Sequence, residues 1–350
     1  MNNKYVKEGE IDPGQLVSIT DITDKVEGQL EKTKIRIDHA LDVAASGSMF
    51  DPGPERAKLK SYDEWLTIRE KLDPPLKDNS IHRLPFMTAE KAYKLIETGI
   101  TEIDQIEDAS ILGKSTKRYL SALARGERCV EKDRLSSFLS EIVYPVYYFD
   151  YETSQSLLPP WNGTRPYQQV PFQYALHIQR EPRGEIEHRE YLHRDRSNPM
   201  PALLSRLRED IGDTGSVLVW YEGFEKARNK EMADTFPEYA AFLKDVNARV
   251  IDLMKPFSEG MITDPAFRGS ASIKAVLPVL VPEVTYSDLD IQEGGSASRL
   301  WKNVTLTDPD TPEREKVYAD LVEYCTLDTW AMVAIHKALR RALTGDLQEH

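Results

Sequence analysis

The chain has 350 residues, 40% of them hydrophobic and 29% charged, with Asp+Glu 58 against Lys+Arg 45 for a net charge of −13. That length suits two or three domains and a sizeable core, and the acidic balance argues against tight electrostatic binding of bulk nucleic acid. Two isolated cysteines, Cys129 and Cys325, exclude a disulfide scaffold, a multi-cysteine zinc site and an iron–sulfur cluster. No apolar run approaches the ~18–20 residues of a membrane span, and the opening MNNKYVKEGEIDPGQ holds no apolar signal segment. The expected address is the cytoplasm, with no membrane partner.

Residues 1–76 read as a charged region. It holds an amphipathic helical stretch over Ile22–Ala45, a Gly/Pro-rich patch, GSMFDPGPE, and a short helical piece around Tyr62–Leu72; DPPLKDN at 73–79 reads as a linker. Residues 80–128 read as a small all-helical unit, with Thr88 the N-cap of a helix over Ala89–Thr98 and Gly99 its C-cap. The unit resembles the helix-hairpin-helix modules of nucleic-acid enzymes, in which backbone amides at a helix N-terminus hold a phosphate. Its LPFMT turn lacks the usual glycines, which permit close backbone approach. A structural helical spacer therefore stands beside the phosphate clamp as a reading.

Residues 140–346 read as α/β. Strands are expected at YPVYYFDYET, VPFQYALHIQ, EHREYLHR, SVLVWY and ARVIDL. Helices are expected at NPMPALLSRLREDI, FEKARNKEMADTF, ASIKAVLPVL and, with interruptions, from about Thr311 to Leu343. Three adjacent strands followed by alternating helices and strands suit a mixed sheet flanked by helices.

Three elements carry candidate chemistry. Asp150 and Glu152 are two apart on the first strand, so both point to one face. Like charges there are costly to bury unless a hard cation binds them or the pair faces solvent at a strand end. Glu225 falls in the first turn after SVLVWY, where the helix dipole favours an acid whatever its role, and Glu222 is a second candidate there. Tyr324 and Asp328 are four apart on the last helix and share a face; a buried aspartate there calls for a metal or a basic neighbour.

In this order the elements resemble the DEDD exonucleases, the DnaQ-like branch of the ribonuclease-H-like fold. Tyr324, with Glu323 where another branch has histidine, resembles the tyrosine subclass. A closer resemblance covers nearly all of 80–345: YPVYYFDYETSQSLLPPWNGTRPYQQVPFQYALH is similar to the bacterial family called domain of unknown function 2779. Longer members of that family carry an upstream RecB-type nuclease domain with an iron–sulfur cluster. NKYVKEGEIDPGQLVSITDITDKV resembles the tail of that domain, so 1–76 reads as a remnant or a trimmed fragment of it, without the cluster cysteines. Two residues depart from the superfamily pattern: Glu225 stands where Asp is usual, and Tyr221 where Asn is common four residues earlier.

The resemblance implies a 3′→5′ exonuclease acting on single-stranded DNA or RNA with two Mg²⁺ or Mn²⁺ ions about 3.5–4 Å apart. Asp150, Glu152, Glu225 and Asp328 would be the metal ligands, and Tyr324 would orient the attacking water. In the loop SLLPPWNGTRPYQQ, Trp161, Arg165 and Tyr167 are candidate nucleic-acid contacts, by stacking and charge, or parts of a rigid loop packed on the domain. His177 and His193, in expected strands, read as hydrogen-bonded rather than as ligands, because hard-metal sites prefer oxygen. Asp252 reads as a helix N-cap or a fifth acid. Two functional classes follow: an active exonuclease, or a catalytically degenerate nucleic-acid-binding or assembly module on the same fold.

Overall fold

The computed structural model describes residues 1–46, 62–71, 75–287 and 289–344. The Gly/Pro-rich patch and the first residues of the expected linker lie outside them. The chain divides into two compact units, residues 18–124 and residues 1–17 with 125–350. The first 17 residues thus go with the α/β unit. Leu16 and Tyr5 are buried, Lys7 exchanges backbone hydrogen bonds with Gly163 and Thr164, and the Lys7 ammonium donates to the Pro160 carbonyl at 2.8 Å.

The unit of residues 18–124 is built of helices and turns. Thr23–Ala45 is one helix with no buried residue. Thr88 Oγ1 accepts from the Lys91 amide and caps Ala89–Glu97, and Gly99 follows with a positive φ of 84°. The LPFMT turn reaches the left-handed region without glycine, through Phe86 at φ 58°. Ile81, Leu84, Met87, Ala92, Leu95 and Leu112 form the core of this unit.

The other unit is a mixed α/β fold with a five-stranded mixed sheet flanked by helices. Its strands are β1 (Val146–Ser154), β2 (Val170–Gln179), β3 (Ile186–Leu192), β4 (Ser216–Val219) and β5 (Val250–Asp252). Their spatial order is β3-β2-β1-β4-β5. β1, β2 and β3 pair antiparallel, while β4 joins β1, and β5 joins β4, in parallel. The helices are α1 (Lys132–Ser140), α2 (Pro199–Asp210), α3 (Glu222–Thr235), α4 (Ala240–Ala248), α5 (Ile273–Leu280), α6 (Gly294–Lys302) and α7 (Arg314–Thr344).

The period of two along β1 sorts its side chains. Tyr147, Phe149 and Tyr151 join the core under α2, α3 and α4, with Leu203, Leu207, Met232 and Val246. Tyr148 faces the other way, into the core shared by α1, α5 and α7, with Leu135, Leu277 and Ile335. Asp150 and Glu152 have the same parity as Tyr148 and fall on the α7 side. The ladder slips between Glu152 and Thr153, where β2 has Phe172 in excess. The bulge frees Phe172 to stack on Trp301 of α6, ring centroids 4.3 Å apart.

The last helix is continuous over Arg314–Thr344, without the expected interruptions. Thr329 Oγ1 donates to the Cys325 and Thr326 carbonyls of the preceding turn, so the ladder need not break there. Among the described residues, no helix is long and apolar enough to cross a membrane.

Candidate metal centre

β1 and α7 deliver the acids. Asp150 and Glu152 leave one face of β1 and meet Asp328, which α7 carries across that face. One oxygen from each lies within 4.8 Å of the others. Glu152 is 7% exposed, and its carboxylate accepts no hydrogen bond among the described residues. None of the three has a lysine or arginine within ion-pair distance there. Parallel pairing sets Tyr148 beside Leu218, so the chain leaves β4 at the same end of the sheet and turns into α3. The first turn of α3 carries Glu225, 2% exposed, whose Oε2 has no hydrogen-bond partner.

Glu225 lies outside the close group of three, yet its charge raises the pKa of both Asp150 and Glu152. Glu222, the other candidate, turns away to Lys226 at 2.5 Å and Lys255 at 2.8 Å.

All four carboxyls are held above their ordinary range, chiefly because burial disfavours the charged form. Asp150 rises well above it, through burial and then the charges of Asp328, Glu152 and Glu225. Burial, then Asp328, pushes Glu152 up to about 8. Glu225 is pushed up to about 8 by burial, with Asp252 adding repulsion. Asp328 rises less, to about 6, because burial is opposed by the Tyr286 hydrogen bond, by the Lys274 charge and by the Tyr324 hydroxyl.

Hydrogen bonding distinguishes these groups. Tyr286, in the segment between α5 and α6, donates its hydroxyl to Asp328 Oδ1 at 2.6 Å. Tyr324, one turn before Asp328 on α7, is buried and favours the charged form of the same carboxyl. Burial and the Asp328 charge raise both phenols, so both stay protonated near neutral pH. The Cys325 thiol lies 3.9 Å from Asp150 Oδ2, and burial keeps it protonated too.

Asp252 is a cap, but for a neighbouring helix. Its Oδ1 accepts from the amides of Tyr221 and Met254 at 3.0 and 2.9 Å, and its Oδ2 from Glu222 at 3.1 Å. Tyr221, at the N-cap of α3 with φ 80°, has no capping side chain of its own. Asp252 thereby fixes the turn that aims Glu225.

The remaining candidates lie in the 155–169 loop or the sheet. Trp161 is half-buried between two apolar clusters, and its indole donates to the Arg196 carbonyl at 2.9 Å. Arg165 and Tyr167 are exposed beside a hollow of about 290 Å³, also lined by Asn3, Arg228 and Glu231. Arg165 and Arg228 both pair with Glu231 there. His177 Nδ1 bonds Thr329 Oγ1 at 2.8 Å, and burial lowers the ring to about 4. His193 lies just past the end of β3, against Tyr191 and Ser197. Neither histidine joins the acids.

A buried carboxylate oxygen without a partner costs about 1–3 kcal/mol or more. The Glu225 oxygen, beside three further acids lacking a basic partner, fits a donor set for hard divalent cations. Tyr286 and Lys274 were not singled out by sequence. Both lie between the expected motifs, in short elements with no period to mark them.

Residues 147–272, which carry Asp150, Glu152 and Glu225, match the family model described as "Domain of unknown function (DUF2779)". The chain is 26% identical over 208 residues to "Uncharacterized protein MG366" of Mycoplasma genitalium, covering 54% of this chain and 31% of that protein. It is 32% identical over 149 residues to "Uncharacterized protein MG366 homolog" of Mycoplasma pneumoniae, covering 39% of this chain and 22% of that protein. The chain thus spans less than a third of the length of these relatives. No solved structure matches it.

Proposed function

We propose that the chain is a metal-dependent phosphodiester hydrolase of ribonuclease-H-like fold, a 3′→5′ exonuclease on single-stranded DNA or RNA. The observation that carries this reading is the meeting of Asp150, Glu152 and Asp328 within 4.8 Å with no basic partner among the described residues. Four acids, Glu152 and Glu225 buried and Asp150 and Asp328 part-buried, without an ion-pair partner among the described residues are unfavourable in an apoprotein, and the arrangement becomes intelligible if divalent cations complete it. Asp150, Glu152, Asp328 and Glu225 would hold two Mg²⁺ or Mn²⁺ ions.

Such ions, when bound, supply positive charge at the scissile phosphate and a supply of hydroxide near neutral pH. The chain's own groups do the rest. Tyr324 orients the attacking water through its hydroxyl and stays protonated, so it acts by hydrogen bonding and not as a base. Tyr286 fixes the rotamer of Asp328. Arg165 and Tyr167 receive the strand at the exposed 155–169 loop.

A second reading, a catalytically degenerate module that binds nucleic acid or a partner, draws on one observation: Glu225 stands outside the close group of three. The two separate in one assay. A 5′-labelled single strand incubated with the protein and Mn²⁺ should shorten as a ladder from its 3′ end, and EDTA should stop it. An intact strand in Mn²⁺ and in Mg²⁺, for DNA and RNA alike, would favour the module.

A further inference from the structure

Lys274 lies beside Tyr286 and Tyr324, in the first turn of α5. Its side chain is exposed, and its ammonium lies 5.6 Å from the ring centre of Tyr286 and 5.8 Å from that of Tyr324. Tyr286 bonds Asp328, and both tyrosines favour its charged form. An ammonium carries three donors. Lys274 uses one, on the backbone carbonyl of Gln292. No carboxylate is within 4.0 Å of it among the described residues, although its charge favours the ionised forms of both Glu152 and Asp328.

A lysine serving as counter-ion to these acids would close on one of them. This one is held off them on two aromatic faces, an attraction of about 0.5–1 kcal/mol each at an exposed site. Its positive charge therefore remains available to an incoming anion. Its neighbours include the ring of Tyr324, the residue assigned to the attacking water. Lysine serves phosphate as a point charge with freely turning donors, and charge on the non-bridging oxygens grows as the water attacks.

We propose that Lys274 is a further catalytic residue, gripping a non-bridging oxygen of the scissile phosphate from the Tyr286–Tyr324 side of the acid cluster. This rests on the hydrolase reading. Lys274 leaves its Gln292 carbonyl for the phosphate; no covalent bond to it forms, and it keeps its proton.

The test uses the full chain with Ca²⁺, a hard cation that takes the same oxygen ligands. A fluorescent octathymidylate is titrated at several salt concentrations, and kcat/KM is measured in parallel with Mn²⁺. Lys274→Gln should weaken binding about tenfold and make the log K against log salt slope shallower by about 0.7, one lost contact on a single strand. Lys274→Arg should restore the slope. Mn²⁺ affinity, read by calorimetry, should not fall in Lys274→Gln, because a nearby cation has been removed. A wild type that cleaves, with a Gln variant of unchanged affinity and slope, overturns the Lys274 assignment alone. A wild type that neither binds nor cleaves overturns the hydrolase reading and this inference with it.

Discussion

Tyr286 and Asp328 are joined by a 2.6 Å hydrogen bond between the segment preceding α6 and the middle of α7. The bond lowers the pKa of Asp328 against the effect of burial and so favours the charged carboxylate. Removing the hydroxyl by Tyr286→Phe should leave the ring packing intact and raise Asp328 further. A hydrogen bond to a charged group is worth about 1.5–3 kcal/mol, so Mn²⁺ affinity should fall about tenfold or more by calorimetry. An unchanged affinity would detach Tyr286 from the site.

The four raised carboxyls make a statement about stability and pH. In the folded state Glu152 and Glu225 hold their protons up to about 8, whereas the unfolded chain releases them near the ordinary carboxylate range. Above that range the folded state binds more protons than the unfolded, so stability falls as pH rises. The metal-free protein should melt several degrees lower at pH 8 than at pH 5. Divalent cation should raise Tm at pH 8 and do little at pH 5, where protons compete for the ligands. A Tm rising from pH 5 to pH 8 in EDTA would contradict the burial of these groups.

Glu225→Gln isolates one of them. The amide keeps the shape and removes the charge repelled by Asp252. Without metal, the variant should be more stable than wild type at pH 8 and nearly equal to it at pH 5. Each kcal/mol relieved corresponds to about 2–4 °C for a unit of this size. In Mn²⁺ the order should invert, because wild type gains from the ion and the variant gains less. Differential scanning fluorimetry in EDTA and in Mn²⁺ reads both.

Asp252→Ala tests the cap. Three backbone amides, of Tyr221, Glu222 and Met254, lose their acceptor in a buried turn. The expected cost is about 2–3 kcal/mol in urea unfolding, with Mn²⁺ affinity falling as Glu225 loses its aim. A loss below about 0.5 kcal/mol would show that water replaces the carboxylate freely.

Gly215→Ala probes the seam between β1 and β4. A methyl there would lie 1.9 Å from the Pro145 carbonyl oxygen, and the residue has φ 86°. Both backbone strain and overlap oppose it, so the variant should lose about 3 kcal/mol or more, or fail to fold. Normal stability would mean that the strand ends are not as close as described.

Much of this site was legible where a period existed to read. The two-residue repeat put Asp150 and Glu152 on one face, and the four-residue step put Tyr324 beside Asp328. The strand limits of VPFQYALHIQ agree with β2 residue for residue, because apolar and β-favouring residues fill it from end to end. Long-range placement left no such mark. Asp252 caps a helix that starts 30 residues before it, and an Asp before a helical stretch looks the same whichever helix it serves. Trp161 packs in part because Arg196 offers a carbonyl from a distant loop. Lys274 and Tyr286 reach Asp328 only through the path of the chain between β5 and α7, where short helices and turns carry little periodicity. The seating of residues 1–17 on the 160–164 loop rests on backbone hydrogen bonds, which no side-chain pattern announces.

The most direct test of the account is the rate at which wild type, Asp150→Asn and Asp328→Asn cleave one 5′-labelled single strand in saturating Mn²⁺, with folding of each variant verified by circular dichroism. Loss of about 10³-fold or more in both variants, on the scale of removing preorganised electrostatic stabilisation, is the predicted result. Cleavage surviving both substitutions would place the chemistry elsewhere and contradict the assignment of these carboxylates.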